Sequence, residues 1–187
     1  MPSTRSARVG SAATVLVAAL SLAGLATAQS PLPTEFDLGL RLAARFGGAF
    51  VVNLLLGGLL LALAPEYTRR MVDDVRDDPG SAFLWGLLVG IGVPIALVLV
   101  AFTIIGLVIT IPGLLALALV GLVGNAVTIC WLGGVLTDDV GAAAVGAGAL
   151  VLSLIAAVPL LGNLATTLIG FVGIGVVGRD LYTSWQG

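Results

Sequence analysis

The sequence predicts an all-α protein, a polytopic membrane helical bundle of about five transmembrane helices following a signal peptide. Three observations predict it. No formal charge falls between Asp78 and Asp138, a run well beyond the ~20 apolar residues of a single bilayer crossing. Uncharged stretches over residues 46–64 and 141–178 repeat the theme on either side. Hydrophobic residues make up 59 % of the chain and charged ones 10 %, with a mean hydropathy of +1.17, whereas soluble domains carry about 25 % charged residues.

The remaining composition narrows the chemistry. All eight basic residues are Arg, Lys and His are absent, and the pI is about 4.8. An acidic, lysine-free water-facing surface suits a halophile, and a GC-rich genome favouring Arg codons gives the same bias; neither predicts a nucleic-acid partner. Cys130 is the only cysteine, which excludes an intrachain disulfide and a cysteine metal cluster. Without His the commonest general base and metal ligand is missing, and no cofactor is expected.

Residues 1–28 have the form of a signal peptide. Arg5 and Arg8 give a positive start, residues 12–25 an apolar segment, and Ala26-Thr27-Ala28 a small-residue cleavage site; the competing reading is an uncleaved first helix over 10–28. Residues 29–45 form a short extracellular segment. In it Thr34 and Asp37 resemble a capping box, and Phe36, Leu40, Ala43 and Ala44 lie on a face different from Arg41 and Arg45.

The helical transmembrane domain is expected over 46–178. Its first span, 46–64, carries Asn53, which is expected to hydrogen-bond to a neighbouring helix, and Gly57-Gly58, where backbones can approach closely. Pro65 closes the span and opens the most polar stretch of the chain, a cytoplasmic amphipathic segment over 65–80. There Tyr67, Met71 and Val75 recur at i, i+4, i+8 with Val72 beside them, while Arg69 with Asp73 and Arg70 with Asp74 are spaced to pair. The pattern predicts an interfacial helix with its apolar stripe dipped into lipid. Asp78 then caps a helix that has Pro79 at its first position, Trp85 near the interface and a kink at Pro94.

A turn or re-entrant connection is expected over 106–113, punctuated by Gly106, Pro112 and Gly113, with the third span over 114–134. Thr137-Asp138-Asp139 is expected to cap the helix after it. The uncharged residues 140–178 are split by the Pro159-to-Asn163 turn into two short crossings, whose Gly146, Gly148, Gly170, Gly173, Gly175 and Gly178 predict close packing. Residues 179–187 form a cytoplasmic tail with Tyr182 and Trp185 in the aromatic belt. Arg69, Arg70, Arg76 and Arg179 inside against Arg41 and Arg45 outside place the mature N-terminus outside a cell membrane and the C-terminus in the cytoplasm.

The order of a helix ending at Pro65, the charged Arg69-Arg70 to Arg76 segment, Pro79, Ser81, Gly86 and an Ile105-Gly106 turn leading to Pro112 resembles the membrane module of bactofilin-like, polymer-forming proteins and its stand-alone haloarchaeal relatives. In those relatives a Pro follows the turn Gly after one residue, whereas here five residues separate Gly106 from Pro112. The resemblance covers 46–178. It implies a role in anchoring or assisting an envelope or cytoskeletal polymer. Only residues 29–45 lie between signal peptide and first span, too few for a polymer-forming β-helix, so the chain would act as a separate subunit.

These features favour a non-enzymatic integral membrane scaffold or accessory subunit, since the spans hold no Asp, Glu, His, Lys or Arg to act as acid, base or metal ligand. Cys130 without a base reads as a small buried hydrophobe. Asp73, Asp74, Asp77 and Asp78 beside three arginines read as a solvated face rather than a cation site. Arg69, Arg70, Asp73, Asp74 and Arg76 are the candidate partner-docking residues. Besides the lipid bilayer, the expected partner is a protein or a second copy, met through Gly-rich helices. The alternative is a channel or facilitator for a small neutral solute, with Asn53, Asn125 and Asn163 as helix-packing or pore positions.

Overall fold

The computed structural model describes residues 38–158 and 161–186. The signal peptide, the Thr34/Asp37 capping box, Pro159, Leu160 and the terminal Gly187 lie outside the described residues. Every described element is helical: α1 (Leu38–Leu63), α2 (Pro65–Asp77), α3 (Pro79–Leu87), a π-turn (Leu88–Gly92), α4 (Val93–Ala101), α5 (Ile104–Thr137), α6 (Ala142–Ala157) and α7 (Leu161–Gln186). Among the described residues four helices are long and apolar enough to cross a membrane, with α3, the π-turn and α4 joined as one 23-residue span, Pro79–Ala101. The 16-residue α6 is a shorter fifth. The protein is a multi-pass helical membrane bundle.

Pro94 acts through the backbone just ahead of it. Its missing N–H leaves the Gly90 carbonyl without the usual i→i−4 partner, and the helix responds by widening, with the Val93 N–H bonded to the Leu88 carbonyl five residues back. The expected kink therefore takes the form of a π-turn.

The turn expected over 106–113 lies earlier, at Phe102-Thr103. Thr103 is extended (φ −101°, ψ 148°) and its hydroxyl accepts from the Gly106 N–H at 2.9 Å while donating to the Val100 carbonyl at 2.8 Å. That side-chain cap starts α5 at Ile104. Gly106 is no turn residue: it lets the first turn of α5 press onto the Val100 carbonyl, which an added Cβ would overlap. Pro112 stays inside α5 and does not end it.

At the other end of α5, Asp138 is left-handed (φ 56°) and terminates the helix. It does not cap α6; Gly141 occupies that position. Asp138 is one of the residue types that tolerates positive φ because its short polar side chain finds local partners.

Glycines bring the helices into backbone contact. Gly86 on α3 lies against the Phe171 carbonyl of α7, and Gly175 of α7 against the Ala82 carbonyl. Gly124 and Gly173 meet where α5 crosses α7, and Gly133 and Gly148 face the Ala144 and Ile129 carbonyls where α5 meets α6. At each crossing a Cβ would collide with main chain. Close packing of this kind replaces the hydrophobic drive that is weak between helices in lipid. Gly146 and Gly170, expected to pack likewise, have open space beside them.

The largest departure from expectation concerns α2. Its apolar stripe is buried in protein instead of being left for lipid: Thr68, Met71 and Val72 are 0 % exposed and Val75 1 %. Met71 and Val75 pack with Ala82, Val127 and Val176 from α3, α5 and α7, while Val72 packs with Cys130, Val140 and Val145. Helix α2 thus closes the end of the bundle formed by the start of α3, the α5–α6 turn and the last turns of α7. This is the charged end.

Candidate functional site

The spans offer little polar chemistry, so the charged end holds the candidate site. Helix α2 enters it between two similar joints, Ala64 (φ −140°, ψ 62°) and Asp78 (φ −144°, ψ 76°), each followed by a Pro at the first position of the next helix. A residue before Pro is pushed out of helical conformation, so the two prolines isolate α2 from α1 and α3. Asp78 accepts the Ser81 N–H at 2.9 Å and caps α3, as the sequence predicts.

The charges of α2 are mostly engaged within the chain, but not as the i,i+4 pairs expected from spacing. Arg69 reaches back to Glu66 at 3.1 Å. Arg70 donates to Asp180 on α7 at 3.3 Å and stands over the Tyr67 ring at 5.5 Å. Asp74 lies 4.0 Å from Arg179, whose other nitrogen is 3.5 Å from the Ser81 hydroxyl. Arg76 donates to the Gly134 carbonyl at 2.7 Å. That carbonyl belongs to the last turn of α5, where acceptors lack intrahelical donors and the helix dipole favours a cation.

Asp73 and Asp77 are exposed. Asp73, Asp74, Asp77 and Asp78 therefore do not converge, and among the described residues no three His, Cys, Asp or Glu side chains form a metal-sized group. Tyr67, half-buried, has its phenol pushed above the ordinary 10.0, first by burial and then by Asp180; Arg70 opposes and Asp74 adds to the rise.

The three asparagines are on separate helices. Asn53 on α1 donates to the Ser153 hydroxyl of α6 at 3.2 Å, and Ser153, fully buried, donates to the Ala149 carbonyl at 2.6 Å. The expected interhelical hydrogen bond is present. Asn125 on α5 is half-buried and Asn163 on α7 is exposed near the α6–α7 turn. Cys130 is fully buried, its thiol 3.9 Å from the Gly57 carbonyl.

Sequence reasoning missed Ser153, Asp180 and the Gly134 carbonyl as partners. A polar residue in mid-span could have pointed to Ser153, and an acid directly after a span-ending Arg to Asp180. No side-chain signal marks the Gly134 carbonyl.

Along Pro79–Ala101 the aromatic Trp85 meets Tyr182 of α7 with ring centroids 5.2 Å apart, and Trp185 beyond it is 91 % exposed. Two aromatic rings thus mark one level next to the ion pairs. Trp and Tyr favour that level of a bilayer.

The family described as Domain of unknown function (DUF8173) matches residues 1–186, and the chain belongs to that family. No curated protein and no solved structure matches the chain.

Proposed function

We propose that this protein is a non-enzymatic scaffold or accessory subunit of a cell membrane, with its charged end in the cytoplasm. The observation that carries the reading is the closed charged end: the α2 stripe fills it, and the helices behind it meet backbone to backbone. Three of the five docking candidates, Arg70, Asp74 and Arg76, hold α2 in place. Arg69 and Asp73 are left facing outward for a protein partner. The resemblance to bactofilin-associated modules supports an envelope or cytoskeletal polymer as that partner. The arginine-only, acidic composition supports a halophilic host.

Affinity purification of the full chain from native membranes tests it. One stoichiometric protein partner, lost in an Arg69→Glu/Asp73→Arg variant, is the expected result. Purified protein that alone carries neutral-solute flux across liposomes would overturn it. Half-buried Asn125 is the observation that favours this second, channel or facilitator reading, and an Asn125→Leu variant that abolished such flux would establish it.

A further inference from the structure

The helical hairpin formed by α4 and the first half of α5 stands apart from the bundle. Residues Val93–Ala101 make their substantial contacts with α5 and the adjoining π-turn alone. The register of α5 with α6 is set by Gly133 at the Ala144 carbonyl and Gly148 at the Ile129 carbonyl. Carried to the end of α6, it brings Ala157 beside Val120. The sixteen residues of α6 rise only ~24 Å, short of the ~30 Å of a typical hydrocarbon core. From Val120, α5 continues to Ile104 with no charged side chain, roughly another 24 Å of helix. The pairing of Asn53 with Ser153 places the same α6 end close to Arg45, an exposed charge on α1. One side of the molecule therefore reaches a polar boundary at a level where the other is still wholly apolar.

The outward chemistry of the hairpin says what covers it. Ile95, Val98, Leu99, Phe102, Val108 and Ile111 are exposed, Phe102 by 84 %. Its glycines face inward, Gly106 against the Val100 carbonyl and Gly113 against Leu97. Its hydroxyls are satisfied within the hairpin, Thr103 at Val100 and Thr110 at Gly106 and Leu97. Helices that associate within a membrane close up through small or polar residues; here the exposed ones, Ala96, Thr103, Ala116 and Ala118, are set among the larger exposed Ile95, Val98, Leu99, Leu114, Leu115 and Leu119. This surface continues directly into the bilayer-facing Leu84 and Leu88 of the same span.

We infer that lipid acyl chains cover the α4–α5 hairpin and that the protein holds a step in bilayer thickness, ordinary along α1 and α6 and thicker along the hairpin. Neither a second copy nor another protein seals it. A long span is met by local thickening or helix tilt; this chain imposes that on the hairpin side, while on the other the twenty uncharged residues between Arg45 and Glu66 rise about 30 Å.

The test uses the full chain in dioleoyl phosphatidylcholine vesicles, with a nitroxide placed singly through Val98→Cys, Phe102→Cys, Val108→Cys, Ile111→Cys and Leu161→Cys. Buried Cys130 is retained, and the unsubstituted chain serves as the labelling control. Collision with dissolved oxygen and with a water-soluble nickel chelate reads depth. Oxygen should dominate at 98, 108 and 111, and the chelate should gain at 161, close to the end of α6. Chelate access at 98, 108 and 111 would put the hairpin in water and overturn the inference. So would shielding from both agents with spin coupling between copies, the mark of a second chain. A label at 161 as deep as that at 108 would remove the step.

Discussion

Tyr67 and Asn53 show what a single side chain contributes here. The phenol of Tyr67 holds its proton more tightly in the folded chain than in the unfolded one, because burial and Asp180 disfavour the phenolate. The folded pKa is raised, so the associated stability is fully present below the unfolded value of 10.0 and is lost as pH rises through the folded one. Stability in detergent should therefore fall above about pH 10, and Tyr67→Phe should flatten that fall. Thermal unfolding across the alkaline range measures it; an unchanged slope in the variant would reject the assignment. With no Lys in the chain, no lysine titrates alongside Tyr67. For Asn53 the hydrogen bond to Ser153 predicts that Asn53→Leu costs roughly 0.6–2 kcal/mol. If Ser153→Ala already removes the bond, the double variant should cost less than the two singles together. Asn53 was legible in sequence as a polar group needing a helix partner; Ser153 was not, because its distance from Asn53 along the chain is set only by how α1 and α6 cross.

At the level of elements, the question is what holds α2 in the charged end. Burying Met71, Val72 and Val75 is worth about 1.5–3 kcal/mol each by transfer estimates, while an exposed ion pair such as Arg70 with Asp180 contributes at most about 1 kcal/mol. The stripe dominates and the charges tune its register. Met71→Ala should therefore destabilise the chain by roughly 2–5 kcal/mol, and Arg70→Ala by less than about 1 kcal/mol, an ordering that denaturant titration checks. Equal effects would mean that the ionic contacts, not the stripe, fix α2. The periodicity of Tyr67, Met71 and Val75 marked the helix and its apolar face correctly. It could not say whether lipid or protein would meet that face, since both are apolar. The displaced α4–α5 turn has a related cause: Gly106, Pro112 and Gly113 read as turn residues by type, yet Thr103 supplied the cap and the glycine served close packing.

For the whole molecule, the contacts fix relative sidedness before any membrane is considered. Arg70 of α2 touches Asp180 of α7, and Arg76 touches the end of α5, so α2, the α5–α6 turn and the C-terminal turns of α7 share one side. Arg45 on α1 is separated from them by the 46–64 stretch and lies on the other. This much follows from an odd number of crossings between Arg45 and the tail. The side proposed as cytoplasmic is the one richer in arginine, four at the charged end against two on α1. Asp73→Cys and Trp185→Cys, each in intact cells, should resist a membrane-impermeant thiol reagent until the cells are opened, whereas Arg45→Cys should react from outside. Reaction of both Asp73→Cys and Trp185→Cys from outside would invert the orientation and leave the bundle intact. Opposite behaviour of those two sites would contradict the contact between α2 and α7 itself, and with it the closed end on which the scaffold reading depends.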